Sequence, residues 1–296
     1  MDPNPVINFE ANHLCHGQTS FSSATIYCPS TGGPLPSVVL VGGWLCGEHA
    51  LAAWAPFFAA HGIAAMTIGT PSPHSHKPAD RSVALLDASK ALQSENARED
   101  SKLFGRLDTS RRAVMGYSLG GGGAELATLA DPELKCAVAL APYLQGHEKL
   151  TDSVPTLFLV GNADKDAPAH NFALPHFNMT DAPKLYFEIK DGDHYVVTGP
   201  SGGNGKDFEK DRELELCCNW ICAMCCGCAP CPNGFGSGPS GVAEDNAELG
   251  AIGNITLAWL QLFLQGEESA RSRLLQQPGI ASRFESKGIQ LDQMLR

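Results

Sequence analysis

Ser118 stands in Gly116-Tyr117-Ser118-Leu119-Gly120, with three more glycines behind it at positions 121–123. A serine hydroxyl is a weak nucleophile unless a base takes its proton and an acid orients that base. The neighbours of the motif give it a context. Ala113-Val114-Met115 before it is an apolar run of strand type, and Ala124-Glu125-Leu126-Ala127 after it favours helix. Strand, tight turn and helix are the setting in which G-x-S-x-G lifts a serine above the edge of a sheet. The helix that starts behind the serine offers N–H groups and a positive dipole end to nearby negative charge. The bland alternative is a glycine-rich turn with an incidental serine, because so short a motif also arises by chance.

The partners should follow in the order serine, acid, histidine. Asp164 comes just after the apolar run 156–160, in Gly161-Asn162-Ala163-Asp164, where a loop acid would sit. Asp166 competes with it and otherwise reads as a solvated turn residue. His194 follows the run 185–189, in Asp191-Gly192-Asp193-His194-Tyr195. A tetrahedral intermediate needs two N–H donors for its oxyanion. The amide of Leu119 is one; Trp44, in Gly42-Gly43-Trp44-Leu45, is the expected second, with Gly43 as the alternative. Trp44, Tyr117, Tyr143 and Tyr195 stand at or near these positions. They either clamp an aryl or acyl group or simply pack the loops.

These side chains need a scaffold that brings distant loops to one edge. Runs at 24–28, 37–42, 63–68, 112–117, 136–140, 156–160 and 185–189 read as strands, and 38–41 is apolar throughout, as a strand covered on both faces must be. Residues 48–61, 79–95, 119–129 and 251–264 read as helices, with Pro56 either kinking the first or sitting in the first turn of a second piece. The alternation implies an α/β fold: a central, mostly parallel sheet with helices on both faces. Residues 1–266 are read as one catalytic domain. It carries a Gly- and Cys-rich insertion at 197–248, before the last helix, and is followed by a polar tail at 267–296.

Composition narrows the partners. The 296 residues carry 21 basic and 32 acidic side chains, a net charge of −11, and 43% are apolar. That acidic balance argues against a nucleic-acid binder, which needs a basic face to displace counterions. Neither of the uncharged stretches, 49–76 and 216–243, reads as a membrane span, since Pro, Gly or Cys interrupts each. The opening Met-Asp-Pro-Asn-Pro has no signal-peptide pattern. The expectation is therefore a cytoplasmic protein, or a secreted one if the chain is a trimmed mature form.

Seven of the eleven cysteines crowd into residues 217–231. Cys222, Cys225, Cys228 and Cys231 are spaced by three, with Pro232 next, close to an iron–sulfur pattern but short by one in the last gap. Zinc held by four thiolates, disulfides closing a lid-like loop, and S-acylation docking the chain on a membrane are the open readings, with free buried thiols as the remainder. Ester hydrolysis by serine requires no cofactor.

Three stretches give the chain a family likeness: residues 54–70 (Trp-Ala-Pro-Phe-Phe-Ala-Ala-His-Gly-Ile-Ala-Ala-Met-Thr-Ile-Gly-Thr), 107–123 through the four-glycine run, and 155–164 (Pro-Thr-Leu-Phe-Leu-Val-Gly-Asn-Ala-Asp). With them the chain resembles the α/β-hydrolases of the polyester hydrolase and cutinase type, within the dienelactone-hydrolase-like superfamily. The resemblance implies a serine carboxylic-ester hydrolase with Ser118, Asp164 and His194 as its triad and Trp44 and Leu119 as oxyanion donors. It also puts Tyr143 where those relatives hold an aromatic against the acyl group. The expected partner is an ester substrate. Two rivals stay open: a lipase or thioesterase on membrane-derived substrates, and a non-catalytic hydrolase-fold protein built around a metal-binding cysteine cluster.

Overall fold

The computed structural model describes residues 3–146, 153–203 and 248–289. The apolar runs form the strands of one nine-stranded sheet: β1 (Val6–Glu10), β2 (Ser23–Pro29), β3 (Leu35–Val41), β4 (Ala64–Gly69), β5 (Leu107–Tyr117), β6 (Cys136–Leu140), β7 (Thr156–Gly161), β8 (Lys184–Ile189) and β9 (Ala281–Lys287). Their order across the sheet is β1-β2-β4-β3-β5-β6-β7-β8-β9. From β4 to β8 every pairing is parallel, while β1, β2 and β9 join antiparallel at the two sides. This is the α/β-hydrolase arrangement expected from the sequence.

Both faces are covered. On β3, Val38 and Leu40 enter the cluster formed with Trp54 and Phe58 of α1 (Trp54–Ala60) and Trp259 of α5 (Gly250–Leu260). Val39 and Val41 point to the other side, where they meet Leu85, Ala88 and Leu92 of α2 (Pro78–Ser94) and Ala124 and Ala127 of α3 (Leu119–Ala130). A smaller cluster joins Phe158 and Tyr186 to Phe177 of α4 (Ala173–Met179). Alternate side chains of a strand face opposite ways, so a strand apolar throughout is one buried on both sides.

The 48–61 region is two pieces, a 3₁₀ turn at Glu48–Leu51 and then α1, with Pro56 in the first turn of α1. There a missing N–H costs nothing. The last helix runs on from α5 into a π-helical turn at Gln261–Gln265. Of the residues after 267, Ala281–Lys287 supply β9, which pairs with β8 from Lys184↔Lys287 to Ile189↔Ala281. Among the described residues, no helix is long and apolar enough to cross a membrane.

The chain order sets the place of the site. From β3 the sheet grows one way through β4 and the other way through β5 to β8. The crevice outside the carboxyl ends of β3 and β5 is therefore the point where the winding reverses, the position where open α/β sheets bind ligands.

Candidate active site

Ser118 follows the last residue of β5 and precedes the first residue of α3. Its backbone sits at φ 55° and ψ −118°, a conformation that side chains rarely adopt. Neighbours hold it there. The Ser118 N–H donates to Leu140 O at 2.9 Å, and its carbonyl accepts from Tyr143 N–H at 2.9 Å and Gly122 N–H at 3.1 Å. Leu45, Ala141 and Asp191 are the other non-glycine residues with positive φ among those described. Each lies in the segment that follows the carboxyl end of a strand: β3, β6 and β8 respectively. Backbone strain gathers at functional edges of this kind.

The glycines around Ser118 are explained by close approach. A Cβ on Gly116 would lie 1.8 Å from Gly120 O, so the elbow closes only with glycine. In α3, a Cβ on Gly120 would meet Gly42 O at 2.5 Å and one on Gly121 would meet Pro142 Cα at 2.8 Å. One on Gly122 would meet Tyr143 O at 2.4 Å, and one on Gly123 would meet Arg81 Cβ at 2.6 Å. The run lets the start of α3 sink against β3, the segment after β6, and α2 together.

Asp164 and His194 meet on the neighbouring loops. His194 Nδ1 lies 2.7 Å from Asp164 Oδ2, and both residues are buried. The other carboxylate oxygen accepts the N–H groups of Asp166 at 2.9 Å and Ala167 at 2.8 Å. Asp166 itself is exposed. The two loops are stitched to each other: Ala163 N–H donates to Gly192 O at 2.8 Å, Asn162 N–H to Ile189 O at 3.0 Å, and Asp191 N–H to Asn162 Oδ1 at 2.7 Å. Asp193 Oδ1 accepts the amides of Tyr195 and Val196, which bends the chain around His194. One ligand-type atom each from Asp164, Asp166 and His194 lies within 4.8 Å of the others. In that set the carboxylate of Asp164 is already spent on the imidazole and two amides, an arrangement that suits orienting a base better than holding an ion.

Tyr117, Tyr143 and Tyr195 lie around these residues in different ways. The Tyr117 ring is 2% exposed and packs on the His194 ring with centroids 4.9 Å apart. Burial drives its phenol well above its ordinary pKa, so it stays neutral. Tyr195 meets the His194 ring edge-on at 5.9 Å. Tyr143 is half-buried, its ring lies tilted against Phe172 with centroids 4.6 Å apart, and its hydroxyl accepts from Gln145 at 2.9 Å.

On the β3 side, Gly43 lies against the serine. A Cβ there would come within 2.6 Å of Ser118 Cβ and 3.2 Å of its Oγ. Trp44 is 44% exposed, and its indole N–H donates to His74 O at 2.9 Å. Leu119 opens α3, and the first N–H groups of a helix have no intrahelical acceptor.

Arg81 was not singled out from the sequence. It is fully buried, and Nη2 donates to Gly43 O at 2.7 Å. A signal was present: positions 81, 85, 88 and 92 share one face of α2, and three of them are Leu or Ala. A charge in such a stripe marks a buried polar role. Cys222, Cys225, Cys228 and Cys231, and the membrane docking expected of their segment, lie outside the described residues. Cys15, Cys28 and Cys136 are free thiols, and the Cys46 thiol donates to Trp44 O at 3.5 Å.

Known proteins are similar to this chain in sequence. Cutinase 1 of Thermobifida cellulosilytica is 30% identical over 190 residues, covering 64% of this chain and 71% of that protein. A cutinase of Thermobifida fusca is 30% identical over the same share of this chain and 62% of its own length. The bis(hydroxyethyl) terephthalate hydrolase of Streptomyces coelicolor is 30% identical over 181 residues, 60% of this chain and 56% of that protein. The chain thus spans less than two thirds of the length of the latter two. The PETase family, described as PET hydrolase-like, matches residues 8–207, well over half of the chain. By that match, and by the fold that carries it, the chain belongs to the PET hydrolase-like family of α/β-hydrolases.

Proposed function

We propose that the protein is a serine carboxylic-ester hydrolase of cutinase or polyester hydrolase type, working through Ser118, His194 and Asp164. The observation that carries the reading is the 2.7 Å bond between His194 Nδ1 and Asp164 Oδ2, made in the loops after β7 and β8, at the same carboxyl edge of the sheet from which Ser118 follows β5. The acid is doubly bonded by backbone amides and buried, so its charge is directed at the imidazole and holds it in one tautomer.

In this reading Ser118 Oγ attacks the ester carbonyl and its proton passes to Nε2 of His194. The carbonyl oxygen takes up negative charge, which the amides of Leu119 and Trp44 stabilise. The C–O bond then breaks, the alcohol leaves with the proton from His194, and the acyl group stays on Ser118. Water, deprotonated by His194, attacks the acyl-enzyme and frees the acid and the serine. Tyr143 and Tyr195 border the acyl group, and Tyr117 backs the imidazole from the core side. The names of the relatives, cutinase and bis(hydroxyethyl) terephthalate hydrolase, support esters of aliphatic or aromatic acids as the substrate class.

The test is hydrolysis of p-nitrophenyl esters of increasing chain length and of bis(hydroxyethyl) terephthalate, with Ser118→Ala alongside. The unmodified protein should release a burst of p-nitrophenol where deacylation is slow. The substitution should lower kcat by about five to six decades. Equal rates in both proteins would remove Ser118 from the mechanism.

A further inference from the structure

A buried guanidinium stands behind the loop that borders Ser118. Arg81 is 0% exposed. Its Nη1 donates to Thr70 Oγ1 at 2.7 Å, and its Nη2 donates to the carbonyls of Gly43 at 2.7 Å and Pro73 at 3.2 Å. Among the described residues no carboxylate pairs with it. A buried cation without an ion-pair partner is an expensive structural element, and here its hydrogen bonds to Thr70, Gly43 and Pro73 are what offset that cost. Its charge is instead turned on a peptide group beside the nucleophile.

The peptide concerned joins Gly43 to Trp44. Its carbonyl accepts from Arg81, and Gly43 is in contact with Ser118. In a trans peptide the C=O and N–H point in opposite directions, so a donor on the carbonyl side leaves the N–H directed the other way. A charge-assisted bond to the carbonyl also draws electron density from the amide, and its N–H becomes the stronger donor.

We infer that Arg81 is a positioning residue of the active site, fixing the Gly43–Trp44 peptide and polarising it through the Gly43 carbonyl so that its N–H is a stronger oxyanion donor. The inference rests on the proposed serine mechanism. It adds a residue that touches neither the substrate nor the triad.

The comparison is between Arg81→Met, neutral and of similar length, and Arg81→Lys, which keeps the charge. Measured for each are kcat and KM for p-nitrophenyl butyrate, the inhibition constant of an aliphatic trifluoromethyl ketone that forms an oxyanion on serine, and Tm. For Arg81→Met, kcat should fall about 10- to 100-fold, less than the loss of an entire oxyanion donor. KM should stay within about threefold, ketone affinity should weaken by the same factor as kcat, and Tm should fall by a few degrees, because Thr70 Oγ1 and the Gly43 and Pro73 carbonyls lose a buried donor. Arg81→Lys should recover most of both losses. If the Met variant does not fold, Arg81→Gln takes its place.

A folded neutral variant with kcat and ketone affinity within about threefold of the unmodified protein overturns the inference. So does an equal loss in the Lys and neutral variants, because the charge would then not be what matters. Failure of the underlying mechanism looks different: Ser118→Ala would keep its activity whatever Arg81 does.

Discussion

At residue scale the candidate site depends on which carboxylate reaches the imidazole. Asp164 and Asp166 are two residues apart in the same loop, yet only Asp164 is buried and bonded to His194. Asp166 gives its amide to Asp164 and leaves its side chain in solvent. Asp164→Asn should therefore lower kcat by about four decades with little change in Tm, since an amide in that place favours the wrong tautomer of the base. Asp166→Asn should stay within about twofold on the same assay. The fixed position of Asp164 was readable from the sequence, because it stands closer to the end of an apolar run and a strand end is fixed while the turn beyond it faces water. The role of Arg81 was less readable. Its acceptors belong to residues 43, 70 and 73, and no local pattern links those positions until the sheet has folded.

At the scale of elements, α3 shows how packing can override propensity. Four glycines in its first turns cost on the order of 3–4 kcal/mol of helix propensity relative to alanine. They bring the helix close enough to touch β3, the segment after β6, and α2, where any Cβ would collide. Gly123→Ala tests the balance. Alanine favours the helix by about 1 kcal/mol, but its methyl would lie 2.6 Å from Arg81 Cβ and 3.0 Å from Ser82 N. The expected net result is a loss of about 1–2 kcal/mol in urea unfolding, together with lower kcat as Arg81 is displaced. The buried strands were legible because apolar runs on both faces have few other uses. Edge strands β1 and β9 were not, since they alternate exposed and half-buried residues and include charges. In β9 the one aromatic, Phe284, meets Phe187 of β8 edge-on at 5.6 Å, a contact invisible to a reading confined to neighbouring residues.

For the whole molecule, the tolerance of acid should turn on Glu95, just past the end of α2. Its buried carboxylate receives Arg98 at 2.6 and 2.7 Å, Ser101 at 2.6 Å and His13 at 3.0 Å, tying the N-terminal 3₁₀ turn and the segment before β5 to α2. Burial alone would raise its pKa, but the bonds from Arg98, Ser101 and His13 prevail and pull it from 4.5 down to about 2. A carboxylate with a lowered folded pKa adds stability that is fully present above pH 4.5 and is lost as the pH falls from there towards 2. Glu95→Gln should cost about 2 kcal/mol at neutral pH and flatten the fall of Tm across that window, as followed by thermal melts at stepped pH. The sheet as a whole was legible from its alternation of strand and helix. The hub was not, because His13 and Glu95 are far apart in the chain and only the fold makes them neighbours.

The stitched loops after β7 and β8 have a consequence for how such a chain can diverge. Gly161 admits no Cβ because Gly192 O would lie 2.2 Å from it, and two backbone bonds and one from the Asp191 N–H to the Asn162 side chain cross between the loops. A change of length in one loop finds no slack in the other. Asp164 and His194 should therefore move as a single cassette. A chimera that exchanges residues 161–167 with those of a relative should keep its activity only if 189–196 is exchanged with them.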